Sequence, residues 1–96
     1  RLMQRNLETP LSLEELAEAA GYSTRQLERQ FKAVLNETPS RYYRNLRVDL
    51  GRSLLFETEL SVTEIAAATG FETANHFAKV FRERFGVSPR SARAIL

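Results

Sequence analysis

One pattern, spelled twice, limits what this chain can fold into. Residues 11–32 read LSLEELAEAAGYSTRQLERQFK and residues 60–82 read LSVTEIAAATGFETANHFAKVFR, the copies starting about 50 residues apart. Two copies make a duplicated unit rather than a solenoid. In the first copy Ser12 is placed to cap a helix, and Glu15 three positions on completes a reciprocal capping box. Leu13, Leu16, Ala17 and Ala20 then recur at helical spacing. Gly21, with no Cβ to clash, can take the left-handed conformation that ends a helix. Ser23 caps a second helix whose apolar side is Leu27, Phe31, Val34 and Leu35. A turn of roughly 100° per residue puts Arg25, Arg29 and Lys32 on the opposite side. A short helix, a tight turn and a second helix with a basic face form a helix-turn-helix suited to a DNA major groove.

The totals are consistent with this. Ninety-six residues suit one domain, or two very small ones that lean on each other. The chain has no cysteine, which excludes disulfides and thiolate metal sites and is compatible with a reducing cytoplasm, the expected location. No apolar run approaches the roughly 20 residues needed to cross a bilayer, and no signal-peptide pattern is present, so no membrane partner is expected. A net charge of +2 argues only weakly for a polyanionic partner. The kind of charge says more: of 14 basic residues all but Lys32 and Lys79 are arginines, whose forked donors suit phosphates and guanine edges. Glu14, Glu15 and Glu64 sit in opening turns, where the helix dipole favours acids.

Read in order, residues 1–7 (RLMQRNL) look helical from the start, and Glu8-Thr9-Pro10 ends that segment. The helix after Ser23 runs to about Asn36. Thr38-Pro39-Ser40 is a break and restart, proline being tolerated early in a helix. Residues 40–56 then carry Tyr43, Leu46, Leu50, Leu54 and Leu55 at helical spacing, giving a helix of roughly 25 Å. Gly51 inside it costs about 1 kcal/mol relative to alanine, which points to close packing there rather than a hinge. In the second copy Ser61 and Glu64 repeat the capping box, and Gly70-Phe71 repeats Gly21-Tyr22. The turn is one residue longer, so Thr73 matches Ser23. Phe77, Phe81 and Phe85 then align with Leu27, Phe31 and Leu35, and Lys79 and Arg82 align with Arg29 and Lys32. Ser88-Pro89 matches Thr38-Pro39 and opens a last helix to Leu96. The predicted fold is all-α: a helix-turn-helix subdomain over 1–38, a linker helix over 39–57 and a second helix-turn-helix subdomain over 58–96.

The segments IAAATGFETANHFAKVFRERFGVSP and LAEAAGYSTRQLERQFK, on a connecting helix and closing with GF…HF…FRERFGVSP, resemble the AraC/XylS family of bacterial transcription activators, over about residues 11–93. YSTRQLERQF with YYRNLRVDLGRSLL is similar to the subgroup whose members carry an N-terminal domain like class-I glutamine amidotransferases. The resemblance implies seven helices, with the second helix of each pair in successive major grooves. It further implies a separate sensing or dimerisation domain preceding this one, and allows RNA polymerase as a partner. Gly51 stands where the family usually has alanine, and Ala92 where an aromatic is common; both departures bear on packing.

Base contacts are expected from Arg25, Gln26, Glu28 and Arg29 on the first recognition helix. A bidentate arginine on guanine is the commonest specific contact, and an acid can accept from a cytosine amino group. On an isolated helix such a face is more often plain solvated surface, and Glu28 equally suits an i,i+4 pair with Lys32. The matching set in the second copy is Asn75, His76, Ala78 and Lys79. Asn75 suits adenine edges and Ala78 a thymine methyl, and the lower charge of this face predicts a smaller share of sequence discrimination. His76, the one histidine, lacks partners for catalysis or metal binding; it contacts DNA or packs beside Phe77.

Phosphate contacts are expected from Ser23, Thr24, Lys32, Ser40, Arg41, Thr73, Arg82 and Arg90, helped by the free N–H groups of helix starts. Capping alone accounts equally well for each hydroxyl. The other linker arginines, and Arg93, read as solvated or paired with acids such as Asp49. Tyr22, Phe31, Phe71, Phe77, Phe81 and Phe85 have core spacing. There is no phosphate loop, no nucleophile beside a base and no cluster of metal ligands, so neither an enzyme nor a cofactor is predicted. The reading is a sequence-specific double-stranded DNA binder on an asymmetric site, with faces about one helical turn (roughly 34 Å) apart. A helical protein-interaction module and a non-specific DNA binder are the alternatives.

Overall fold

The computed structural model describes residues 2–95, so the expectations at Arg1 and Leu96 lie outside the described residues. Among the described residues there are seven helices and no strand: α1 (Leu2–Arg5), α2 (Leu13–Ala20), α3 (Thr24–Leu35), α4 (Pro39–Glu57), α5 (Val62–Ala68), α6 (Ala74–Phe85) and α7 (Pro89–Ala94). The molecule is elongated, 43 × 23 × 20 Å.

Local chemistry sets most of the helix ends. Ser12 and Glu15 form both halves of a capping box at the start of α2: Ser12 N donates to Glu15 Oε1 (2.8 Å) and Glu15 N donates to Ser12 Oγ (3.1 Å). Ser61 and Glu64 repeat both bonds at α5. Gly21 ends α2 at φ 77°, and Asn36 ends α3 in the same left-handed region at φ 54°. The first helix is shorter than residues 1–7. It stops at Arg5 because the Asn6 amide donates back to the Leu2 carbonyl oxygen (2.9 Å), while the Tyr43 hydroxyl on α4 donates to the Asn6 carbonyl oxygen. That hydroxyl also accepts from Leu11 N (3.0 Å), so one phenol pins the whole loop before α2. The linker helix covers Pro39–Glu57: Thr38 Oγ1 accepts from Arg41 N (3.2 Å), Pro39 takes the first helical position, and Ser40 falls inside the first turn instead of capping it.

Two clusters of buried side chains share α4. Met3, Leu16, Ala17 and Leu27 pack with Tyr43 at one end. Ile65, Ala66, Phe71, Phe77, Val80, Phe81 and Ala92 pack with Val48 and Leu55 at the other. The second is built on aromatic edges: ring centroids lie 5.4 Å apart for Phe71–Phe77, 5.8 Å for Phe77–Phe81 and 4.7 Å for Phe81–Phe85. Gly51 is where α4 meets this stack. A Cβ there would run into the edge of the Phe77 ring at Cε1, so the glycine serves close packing, as its helical position suggests. Ala92 is buried in the same cluster.

Three apolar expectations are corrected. Val34 is 75% exposed, and Leu35, 45% exposed, lines an open groove with Leu2, Met3, Leu16 and Tyr42 instead of being buried among them. Tyr22 is 42% exposed whereas its counterpart Phe71 is 4% exposed. The difference is a lid: the Arg47 guanidinium lies over Phe71, 4.5 Å from the ring centroid, and among the described residues no guanidinium lies over Tyr22.

Candidate nucleic-acid interface

The second helix of each pair, α3 and α6, offers a polar face built by the same logic. Leu27 on α3 and Phe77, Val80 and Phe81 on α6 are buried, which leaves the opposite sides of both helices to solvent. Arg25, Gln26, Glu28 and Arg29 are all exposed, as are Asn75, His76 and Lys79; Ala78 is partly covered. Of the expected phosphate-binding residues, Ser23, Lys32, Ser40, Arg41, Thr73, Arg82 and Arg90 are exposed and Thr24 is half-buried. Neither Arg25 nor Lys79 is tucked beneath another helix.

Hydrogen bonds narrow what several of these groups can offer. Gln26 completes a capping box: its Oε1 accepts from Ser23 N (2.9 Å), while Gln26 N donates to Ser23 Oγ (3.1 Å). Only the amide NH2 of Gln26 remains free to donate to a base. The Ser23-x-x-Gln26 spacing was a legible signal for this box, which the sequence reading left unused. Thr73 Oγ1 accepts from His76 N (3.0 Å). The His76 ring stands edge-on to Phe71 at 5.3 Å, so its packing neighbour is Phe71 rather than Phe77. Arg41 lies 3.5 Å from Glu37, one turn earlier and largely in water, where such a pair holds weakly. Glu28 and Lys32 form no ion pair among the described residues, so both are free.

Arg47 and Arg93, expected to be solvated or paired with acids such as Asp49, bind backbone carbonyl oxygens instead. Asp49 is taken by Arg84, whose Nε and Nη2 fork its two carboxylate oxygens at 2.6 and 2.9 Å. That bond to the carboxylate pushes the Arg84 guanidinium above its ordinary range. Arg47 is half-buried, donates from Nη1 to the Gly70 carbonyl oxygen (2.8 Å), and is pushed down by burial. Arg93 reaches the carbonyl oxygens of Leu55, Thr58 and Leu60, capping the end of α4. No local pattern marks these three, since each partner lies 23–38 residues away. Glu15 and Glu64 are held below the ordinary carboxylate range by the Ser12 and Ser61 backbone N–H groups, and further by those serines' hydroxyls. No group of three or more His, Cys, Asp or Glu side chains converges as a metal site among the described residues, and no helix there is long and apolar enough to cross a membrane.

The helix-turn-helix domain family matches residues 16–95. The transcriptional regulator GbdR of Pseudomonas aeruginosa is 48% identical over 92 residues, which is 96% of this chain and 25% of that protein. The chain therefore spans about a quarter of the length of that regulator. A transcriptional regulator with an AraC-type DNA-binding domain from Chromobacterium violaceum superposes with a TM-score of 0.92 at 44% identity, over 97% of this chain and 83% of that one. The DNA-binding domain of AdpA, solved in complex with a target DNA, superposes with a TM-score of 0.93 at 29% identity, over 98% and 85%. With two capped helix pairs on one connecting helix and these likenesses across almost its whole length, the chain belongs to the AraC-type helix-turn-helix family of transcriptional regulators.

Proposed function

We propose that this chain is the sequence-specific, double-stranded DNA-binding part of a bacterial transcription regulator. One observation carries the reading: the chain presents two capped recognition helices, α3 and α6, with exposed polar faces on a single connecting helix. The AdpA domain of the same fold, solved with its target DNA, supports it. In this reading residues 1–38 and 58–96 are two reading units and 39–57 connects them across adjacent major grooves. Arg25 and Arg29 donate to guanine, Glu28 accepts from cytosine, and the Gln26 amide donates. Asn75, His76, Ala78 and Lys79 read the second groove. Lys32, Arg41, Arg82 and Arg90 hold phosphates, with the hydroxyls of Ser23, Thr24, Ser40 and Thr73 beside them. Because the two faces differ, one chain reads an asymmetric site. A sensing domain outside these residues, of the glutamine-amidotransferase-like kind, and contact with RNA polymerase complete the proposal.

The test is a binding titration on a site selected from a random duplex pool. Arg29→Ala should cost about 1–3 kcal/mol and relax preference at one base position, whereas Arg41→Ala should weaken all sequences alike and flatten the salt dependence. Unchanged affinity and preference in Arg29→Ala would show that α3 does not read bases.

A further inference from the structure

The two recognition helices are joined by more than α4. The turn that leads into α6 sits directly on the loop that leads into α2. Gly70 has φ 78°, and a Cβ there would lie 2.5 Å from the Leu7 carbonyl oxygen and 2.6 Å from Pro10 Cγ. Any other residue at position 70 would push the two loops apart, so backbone meets proline ring with no side chain between. Arg47 closes this contact from the α4 side. Its Nη1 donates to the Gly70 carbonyl oxygen at 2.8 Å. Its guanidinium carbon lies 4.5 Å from the Phe71 ring centroid and 5.8 Å from that of Tyr43. Tyr43 belongs to the first buried cluster and Phe71 to the second, so one planar cation bridges both cores at the mouth of the second turn. At its other end α6 is tied to α4 by Arg84 and Asp49, but that pair is exposed and screened by salt. The half-buried Arg47 contact is therefore the stiffer of the two.

We propose that Arg47, seated on Gly70 against Pro10, is the positioning residue that sets the separation and relative rotation at which α3 and α6 engage DNA. This rests on the DNA-binding reading above. One base pair inserted between two half-sites moves the second by about 3.4 Å and turns it by about 35°. A protein whose two reading faces are rigidly joined cannot follow both changes, and one with a loosened joint can follow in part.

The experiment measures affinity for the site selected from a random duplex pool, and for the same site with one base pair inserted between the two contacted segments. The wild-type chain is expected to lose about 100-fold on insertion, as when several specific contacts are forfeited together. Arg47→Met removes the hydrogen bond and the cation while keeping a long apolar stem. Pro10→Ala removes the ring beneath Gly70 from a half-buried loop position. In each the insertion penalty should shrink to about tenfold or less, with far-UV circular dichroism unchanged. A merely structural role lowers affinity for both spacings by the same factor and leaves the penalty where it was. If Arg47→Met does not fold, Pro10→Ala decides. A folded variant that keeps the wild-type penalty overturns the proposal, as does a wild-type chain indifferent to the insertion. A pool that yields no preferred sequence would instead overturn the DNA-reading assignment itself.

Discussion

Replacing Arg93 should destabilise the fold far more than its place on a short terminal helix suggests. Its Nε and Nη2 donate to the Leu55 carbonyl oxygen at 3.2 and 3.0 Å, Nη2 also to Thr58 at 3.3 Å, and Nη1 to Leu60 at 2.6 Å. These carbonyls lie at or just beyond the end of α4, where a helix leaves its last acceptors without intrahelical partners. A typical intramolecular hydrogen bond contributes about 0.5–1.5 kcal/mol net, and one to a charged group about 1.5–3 kcal/mol. The side chain is half-buried, so water recovers part of the loss and the lower range applies. Three carbonyls at about 0.7 kcal/mol each give a cost of about 2 kcal/mol for Arg93→Ala. In a domain of this size each kcal/mol moves Tm by about 4–8 °C, so a thermal melt should fall by about 8–16 °C. Arg93→Lys discriminates the mechanism. A lysine keeps the charge but donates from a single point rather than a planar fork, and should recover less than half of the loss. The reasoning is refuted if Arg93→Ala stays within about 0.5 kcal/mol of wild type, the range of an ordinary surface change, or if Arg93→Lys melts with the wild type.

Two further outcomes follow from the geometry. Gly51→Ala gains about 1 kcal/mol of helix propensity but drives a methyl into the Phe77 ring, an overpacking cost of about 1–3 kcal/mol, so urea denaturation should show a net loss of up to about 2 kcal/mol. Adding Phe77→Leu should reduce the penalty of Gly51→Ala, and a stabilised Gly51→Ala single variant would show that the ring yields freely. Glu15 and Glu64 have carboxyls depressed in the folded state, so their contribution is present above the unfolded value of 4.5 and is lost as pH falls through the lower folded value. Replacing both with glutamine, which caps α3 through Gln26 without a charge, should remove the ionised groups' contribution at pH 7, leave stability well below pH 4.5 nearly unchanged, and so flatten the acid limb. Equal acid sensitivity in the double variant and wild type would place that limb elsewhere.

What the amino-acid order determined alone is what neighbours along the chain decide. Ser12 with Glu15, Ser61 with Glu64, the left-handed Gly21 and the buried faces of α2, α5 and α6 all rest on partners within a turn or two, so spacing reveals them. The exposed polar faces of α3 and α6 were legible for the same reason, because burying Leu27 or Phe77 turns Arg25, Arg29, Asn75 and Lys79 outward. Tertiary structure decided whatever depends on distant segments meeting. Periodicity cannot say that Tyr22 lies open while its repeat partner Phe71 is roofed by Arg47, or that Val34 and Leu35 on the last turn of α3 stay exposed. Nor can it distinguish an arginine in water from Arg84 on Asp49 or Arg93 on the end of α4, since a cation's partner is set by packing 33–38 residues away. Two copies of one local pattern thus acquired different surroundings because only one of them received the middle and end of the linker helix.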